Sequence, residues 1–490
     1  MENAIKSLLE RIHLIFRLLL PHNLCDMQRL LIVMLVLISK GTLRCQSELM
    51  GYWSGRIDKN LRVELKIEVD STVTHASVHL PMLGITVDTE LQEEIGGKEW
   101  LATFSLTGTQ SIQLFLNQIN KDSLNAEWHQ NAVVEPIIMT RVDSFLPPAR
   151  SQLPLKAYDY SEHEVSIYNS LEDFTLSGTL TLPATGKNFP VVVLISGSGL
   201  QNRNSEVFDH KPFLVLADHL TRNGVAVLRY DERGAGKSEG SYHDATSEDL
   251  KGDVLAVVRK MDSLGYEHIG LIGHSEGGMI APMAAVEEER VDFIVSLAGP
   301  SLPIAELMII QNGNILRDQG IDESEISDYL IFLRKAYALI DVESPKDSLY
   351  GPLKKLCYEF YESRDSSSQK NYGPSREAFY FHSAGSYLLP WLRYFINYEP
   401  GPIIERLSIP VLALNGKMDI QVTALENIRG YSQHLAKSNA PHYECIALDS
   451  INHLFQKVDD WNTYEYYESE ETFNKGVMDR IVEWIAGLNL

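Results

Sequence analysis

The chain has 490 residues, 44% of them hydrophobic and 22% charged, the proportions of a folded globular protein with room for two or three domains. Its formal net charge of −23 argues against nucleic-acid binding, which needs a basic face to meet phosphates. The acidity reads as a device for solubility.

Residues 1–45 read as an N-terminal extension and signal peptide. The apolar run Leu30–Ile38 follows Arg29 and a second methionine, Met27. It is shorter than the roughly 20 apolar residues a membrane span needs and has the length of a signal-peptide core. Initiation at Met27 and cleavage beside Cys45-Gln46 would release an exported chain, periplasmic or extracellular. Arg44 speaks against a lipid anchor on Cys45. Of four cysteines, Cys357 and Cys445 then remain, too few for a disulfide framework, and Cys445 sits in a strand as a buried apolar residue would.

Residues 46–143 form a separate all-β unit. Arg62–Val69 alternates strictly between apolar and polar residues, as a half-solvated strand does. Short runs follow at 76–80, 99–106, 111–116, 123–129 and 134–141, separated by turn residues, which predicts a small antiparallel sandwich or barrel. Trp53, Trp100 and Trp128 read as its core, with stacking on a sugar or lipid as the alternative. The proline-rich stretch Phe145–Pro154 lies in a linker over residues 144–158.

Residues 159–300 and 406–490 read as two parts of one larger domain, interrupted by a helical cap over 301–405. Strands are predicted at His163–Asn169 and Phe174–Leu182. A β-branched run, Val191–Ile195, ends in Ser196-Gly197-Ser198-Gly199. The strand Val225–Tyr230 ends in Asp231-Glu232-Arg233-Gly234-Ala235-Gly236-Lys237-Ser238, whose spacing does not match the phosphate loop G-x-x-x-x-G-K-[ST]. Asp231 and Arg233 read as an ion pair or as loop hydrogen bonds. The strand His268–Ile272 runs into Gly273-His274-Ser275-Glu276-Gly277-Gly278 and a small-residue helix. Within the insertion, Ile326–Ile340 keeps apolar residues at helical spacing. Tyr350, Phe379, Phe381, Tyr387 and Trp391 are candidates either for a substrate pocket or for the cap's own core. The strand Val411–Leu414 then leads to Asn415-Gly416-Lys417-Met418-Asp419, and Tyr443–Leu448 leads to Asp449-Ser450-Ile451-Asn452-His453. A last helix is predicted over Phe473–Leu488.

A G-x-S-x-G turn between strand and helix exposes a serine on strained backbone, with small residues letting the chain pass closely on either side. Ser275 is the candidate nucleophile. The helix after it aims N-terminal amides at the site, where negative charge develops. Asp419 and His453 each sit just past a strand end, in the order serine, acid, histidine. His453 would take the Ser275 proton and return it to the leaving group, and Asp419 would set the imidazole tautomer. Asp449 is the competing acid, on the same loop as the base. Two amides are needed for an oxyanion hole, one from Glu276 and one from Ser198 or Gly199. No C-x-x-C pair or H-E-x-x-H motif points to a metal, and no cofactor is implied.

These segments together resemble the α/β-hydrolase superfamily, and more narrowly the bacterial carboxylesterases that carry Gly-His-Ser-Glu-Gly-Gly behind a small N-terminal β-domain. The likeness spans roughly residues 160–490, and more loosely 48–143. Leu200-Gln201-Asn202-Arg203-Asn204 departs from the Pro-Gln-Asp-Arg-Asp wording of those esterases. The resemblance implies an α/β-hydrolase sheet with a helical cap, and hydrolysis of a small-molecule carboxylic ester through Ser275, Asp419 and His453. The alternative is an aminopeptidase or acylaminoacyl peptidase, although the β-domain is too short for the propeller that such enzymes carry. A further reading makes the β-domain an anchor on a polysaccharide whose ester decorations the hydrolase trims.

Overall fold

The computed structural model describes residues 49–490 except 58–60, 71–72, 82–84, 94–98, 106–110, 131–132, 187, 367, 460–464 and 489. The proposed signal segment lies outside the described residues. Among the described residues no helix is long and apolar enough to cross a membrane. The chain divides into two compact units, changing over between Phe145 and Leu146.

The first unit is a closed barrel of eight antiparallel strands in sequence order. They are β1 (Gly51–Ile57), β2 (Leu61–Asp70), β3 (Val73–Leu80), β4 (Ile85–Glu93), β5 (Glu99–Ser105), β6 (Ser111–Asn120), β7 (Ser123–Gln130) and β8 (Val133–Val142). Closure comes from β1 pairing with β8, Trp53 opposite Arg141, so no sheet edge is left open. Alternate residues point inward: Trp100, Ala102 and Phe104 on β5 meet Leu124, Ala126 and Trp128 on β7 in one core. Trp53, Trp100 and Trp128 are 0%, 2% and 3% exposed, so their rings fill the barrel and offer no face to a sugar. Sequence patterning misses β1 and β4. Of the nine residues of β4 only Leu91 is buried, so its apolar periodicity is faint.

The second unit is built on an eight-stranded sheet in the order β16-β15-β14-β13-β11-β12-β10-β9. Here β9 is Ser161–Asn169, β10 Phe174–Leu182, β11 Val191–Ile195, β12 Ala226–Tyr230, β13 Ile269–His274, β14 Val291–Leu297, β15 Val411–Gly416 and β16 Tyr443–Leu448. β9 and β10 pair antiparallel, and the strands from β12 to β16 run parallel to one another. The central strands are unbroken Val/Ile/Leu runs because both faces are covered. Helices Ser247–Ser263 and Glu276–Ala285 pack on one face, and Pro212–Arg222 and Lys475–Gly487 on the other. The winding direction reverses between β11 and β13. Crevices that bind ligands open at the strand carboxyl ends at such a switch point, and the Ser275 turn leaves β13 there.

Between β14 and β15 the chain forms helices Ile304–Asp318, Glu323–Leu339, Lys346–Glu362, Arg376–Tyr387, Pro390–Ile396 and Pro400–Ile404. An aromatic cluster holds the middle of this insertion: the Phe332 ring lies 4.6 Å from Phe360 and 5.3 Å from Phe379. The proline-bearing stretch after the barrel is pinned to the second unit over part of its length. Arg150 donates to the carbonyls of Ser469 at 2.7 Å and Tyr467 at 2.8 Å, and Gln152 accepts from the Phe473 amide at 3.0 Å.

Candidate active site

Ser275 sits at φ +53° and ψ −117°, a conformation L-residues rarely hold. Its amide donates to the Leu297 carbonyl of the neighbouring strand at 2.8 Å, which ties the turn to the sheet. The flanking glycines are required by space. A Cβ on Gly273 would lie 1.9 Å from the Gly277 carbonyl oxygen, and one on Gly277 would lie 2.2 Å from the Ile195 carbonyl oxygen. Both obstacles are backbone, so neither can swing away.

Asp419 and His453 meet as expected. His453 Nδ1 lies 2.7 Å from Asp419 Oδ2, and the two residues are 4% and 1% exposed. A carboxylate only accepts, so the proton rests on Nδ1 and the Nε2 lone pair is left to take another. The carboxylate is held on every side. Oδ1 accepts the amides of Gln421 and Val422, each at 2.8 Å, and Oδ2 also accepts Asn415 Nδ2 at 3.2 Å. The rival acid is placed elsewhere: the Asp449 side chain is 84% exposed and pairs with Lys417 at 2.6 Å.

His274 carries a role that sequence inspection does not reveal. Its Nε2 lies 2.8 Å from the His453 carbonyl oxygen, linking the nucleophile turn to the backbone of the base. Burial, with His453 close by, pushes its pKa down to about 3. The ring is therefore neutral and donates through Nε2–H.

The oxyanion donors divide. Ser198 and Glu276 line the same cavity as Ser275, and Glu276 opens the helix after it. Gly199, predicted as an alternative donor, is corrected: its amide donates to the Tyr242 hydroxyl at 3.1 Å. The rest of that loop is clamped as well, since the Gln201 amide donates to buried Glu232 at 2.8 Å. Ser198 lines the cavity together with Gly197, whose Cα side lies against Ser275. Asp231 and Arg233 do not pair with each other. Asp231 holds Arg203 at 2.7 Å, and Arg233 holds Asp253 at 2.7 Å.

Ser275 and His453 open onto a cavity of about 590 Å³, within the range of small-molecule sites. Of the aromatic residues predicted for its wall, Trp391 lines it. Phe379 and Tyr387 are buried in the core of the insertion, while Tyr350 and Phe381 are 41% and 75% exposed. The wall also includes Leu307, Gln311 and Ile315, one stripe of helix Ile304–Asp318 at four-residue spacing, and Phe208, Phe395 and Tyr466. That spacing was the available sequence signal. Among the described residues no Lys, Arg or Asp side chain lines the cavity, and Glu276 is the one carboxyl-bearing residue. Among the described residues no group of three or more His, Cys, Asp or Glu side chains is placed to hold a metal ion.

A sequence family described as alpha/beta hydrolase fold matches residues 190–318. Esterase EstD of Thermotoga maritima is 26% identical over 336 residues, covering 66% of this chain and 71% of its own. An acyl transferase of Aliivibrio fischeri is 34% identical over 122 residues, which are 24% of this chain and 37% of that protein. Among solved structures, an esterase of Pyrococcus furiosus covers 70% of this chain and 97% of its own, at 15% identity and a TM-score of 0.42. Strand order, the Ser275 turn and the family match agree that the second unit has the α/β-hydrolase fold.

Proposed function

We propose that this α/β-hydrolase-fold protein is a serine hydrolase that cleaves uncharged carboxylic esters through an acyl-enzyme on Ser275. The observation that carries the reading is one cavity onto which Ser275 and His453 both open, with Asp419 hydrogen-bonded behind the imidazole. In the first step His453 Nε2 takes the Ser275 Oγ proton as the oxygen attacks the ester carbonyl. The tetrahedral oxyanion is met by the Glu276 and Ser198 amides, where the helix N-terminus adds its favourable field. The imidazolium, steadied by Asp419, then protonates the departing alcohol. Water enters, loses a proton to His453, and releases the acid from Ser275.

The cavity supports a neutral substrate with a sizeable apolar part. Trp391 and Phe395 stack at 5.0 Å on one wall, and Phe208 and Tyr466 stack at 5.5 Å on another. An aminopeptidase needs an anionic group for the free amino terminus of its substrate. The one carboxyl group on this wall among the described residues, Glu276, is 2% exposed and faces Ser247 and Trp391. This favours the esterase reading over the aminopeptidase reading.

The test is hydrolysis of a p-nitrophenyl acyl ester ladder, acetate to decanoate, beside aminoacyl and acylaminoacyl anilides, with Ser275→Ala in parallel. Ester turnover lost in the variant, with anilides untouched, is the expected result. Cleavage confined to anilides would replace the esterase reading with a peptidase.

A further inference from the structure

The carboxyl group beside the nucleophile is used by none of the chemical steps above. Glu276 is 2% exposed, yet its Oε1 accepts two hydrogen bonds, from Ser247 Oγ at 2.6 Å and from Trp391 Nε1 at 2.8 Å. The Ser198 hydroxyl faces the same carboxyl group. Oε2 is buried and has no hydrogen-bond partner within 3.5 Å. These neighbours come from distant parts of the unit. Ser198 follows β11, Ser247 is the first residue of helix Ser247–Ser263, and Trp391 belongs to the insertion and lines the cavity.

We propose that the Glu276 side chain is a positioning group that fastens the helical insertion to the oxyanion hole, so that a seated Trp391 and a formed oxyanion hole are one arrangement. The inference rests on the hydrolase reading. The Glu276 and Ser198 amides are the two oxyanion donors, and the Glu276 carboxyl group meets the Ser198 side chain while also accepting from the insertion. Oε1 accepts from Ser247 and Trp391, and the Ser198 hydroxyl is turned as a donor to the same carboxyl group. Burial, opposed by hydrogen bonds from Ser247, Trp391 and Ser198, raises the Glu276 pKa. Trp391 therefore acts both as cavity wall and as the peg by which the insertion holds the catalytic turn.

Steady-state kinetics on p-nitrophenyl acetate and octanoate test this with Glu276→Ala, Glu276→Gln, Trp391→Phe and Ser247→Ala. Loss of one oxyanion donor costs on the order of 100-fold in kcat. Glu276→Ala is expected to lose about that much in kcat, with the acetate KM changed less than about three-fold. Glu276→Gln, whose carbonyl oxygen can still accept from Ser247 and Trp391, is expected to restore at least a tenth of the wild-type rate. Trp391→Phe keeps an aromatic wall but removes the donor, and is expected to lower kcat on acetate, a substrate too small to need that wall, by about ten-fold. The proposal is overturned if Glu276→Ala keeps kcat within two-fold, if its loss appears in KM alone, or if the glutamine variant is no better than alanine. Should Glu276→Ala not fold, Trp391→Phe and Ser247→Ala decide, and wild-type kcat in both overturns the tether. Wild-type protein inactive on every ester refutes the esterase reading instead, which separates the two failures.

Discussion

Replacing Asp419 by asparagine is the sharpest test of the charge arrangement, because the surroundings dictate which way the amide must point. Oδ1 accepts two backbone amides, from Gln421 and Val422, both at 2.8 Å. Only an oxygen can occupy that place, so the asparagine NH₂ must take the position of Oδ2, 2.7 Å from His453 Nδ1. A donor there requires Nδ1 to accept, which moves the imidazole proton to Nε2 and removes the lone pair that deprotonates Ser275. The same amide also turns a donor towards Asn415 Nδ2, which now donates to Asp419 Oδ2 at 3.2 Å, so that hydrogen bond is lost as well. A wrong tautomer at a Ser-His-Asp site costs about 10⁴ in kcat, or about 5.4 kcal/mol of transition-state stabilisation. Initial rates on p-nitrophenyl acetate, normalised to folded protein by circular dichroism, read the loss. Asp449→Asn, on an exposed side chain 84% open to solvent, serves as the comparison and is expected to stay within two-fold of wild type. If Asp419→Asn keeps more than a tenth of wild-type kcat, the acid has been assigned to the wrong residue.

Four further outcomes follow from packing and protonation. Gly273→Ala places a Cβ 1.9 Å from a backbone oxygen, and is expected to abolish labelling by a fluorophosphonate or to prevent soluble expression. Gly385→Ala, with open space around its Cβ and a helical position, should instead raise stability by about 0.5–1 kcal/mol in a denaturant titration. Phe379→Ala removes a 5% exposed ring from the aromatic cluster of the insertion and should cost about 3–5 kcal/mol in the same titration; an unchanged midpoint would show that the cluster carries no stability. His210 is fully buried, with its pKa pushed from 6.5 down to about 4 by burial and the nearby Arg150 charge. The unfolded chain therefore takes up this proton first. The contribution is complete above pH 6.5 and is lost as the pH falls towards about 4. Between pH 7 and 4.5, His210→Gln should lose about 2–3 kcal/mol less than wild type in urea unfolding, and parallel pH profiles would exclude a neutral buried imidazole.

The Ser275 turn was legible in the sequence because its demands are local. A serine at φ +53° between glycines that cannot carry a Cβ leaves a pattern within six residues. Asp419 and His453 were legible for a related reason: each follows a strand of the parallel sheet, β15 a fully buried apolar run and β16 a half-buried edge strand. Choosing between Ser198 and Gly199 was a different problem, since the answer lies in a hydrogen bond to Tyr242, 43 residues on. The aromatic residues of the insertion show the same limit. Phe379 and Trp391 are equally apolar, and only the folded packing assigns one to a core and the other to a wall.

Glu276 brings these two kinds of information into one residue. Read locally, an acid in the first turn of a helix is favoured by the dipole and is ordinarily solvated, so the sequence suggests a backbone role and nothing for the side chain. Its actual surroundings depend on Trp391, 115 residues later, and on Ser247, 29 residues before. Burying such a group costs free energy unless its polar atoms are met. Two donors on Oε1 and a hydroxyl facing the same acid supply that compensation here. The cost of burial then becomes a constraint on the rest of the unit. If the insertion moves so that Trp391 withdraws, the acid loses a donor in a dry site, and the arrangement that satisfies it is the one in which the cavity wall and the oxyanion hole are both in place.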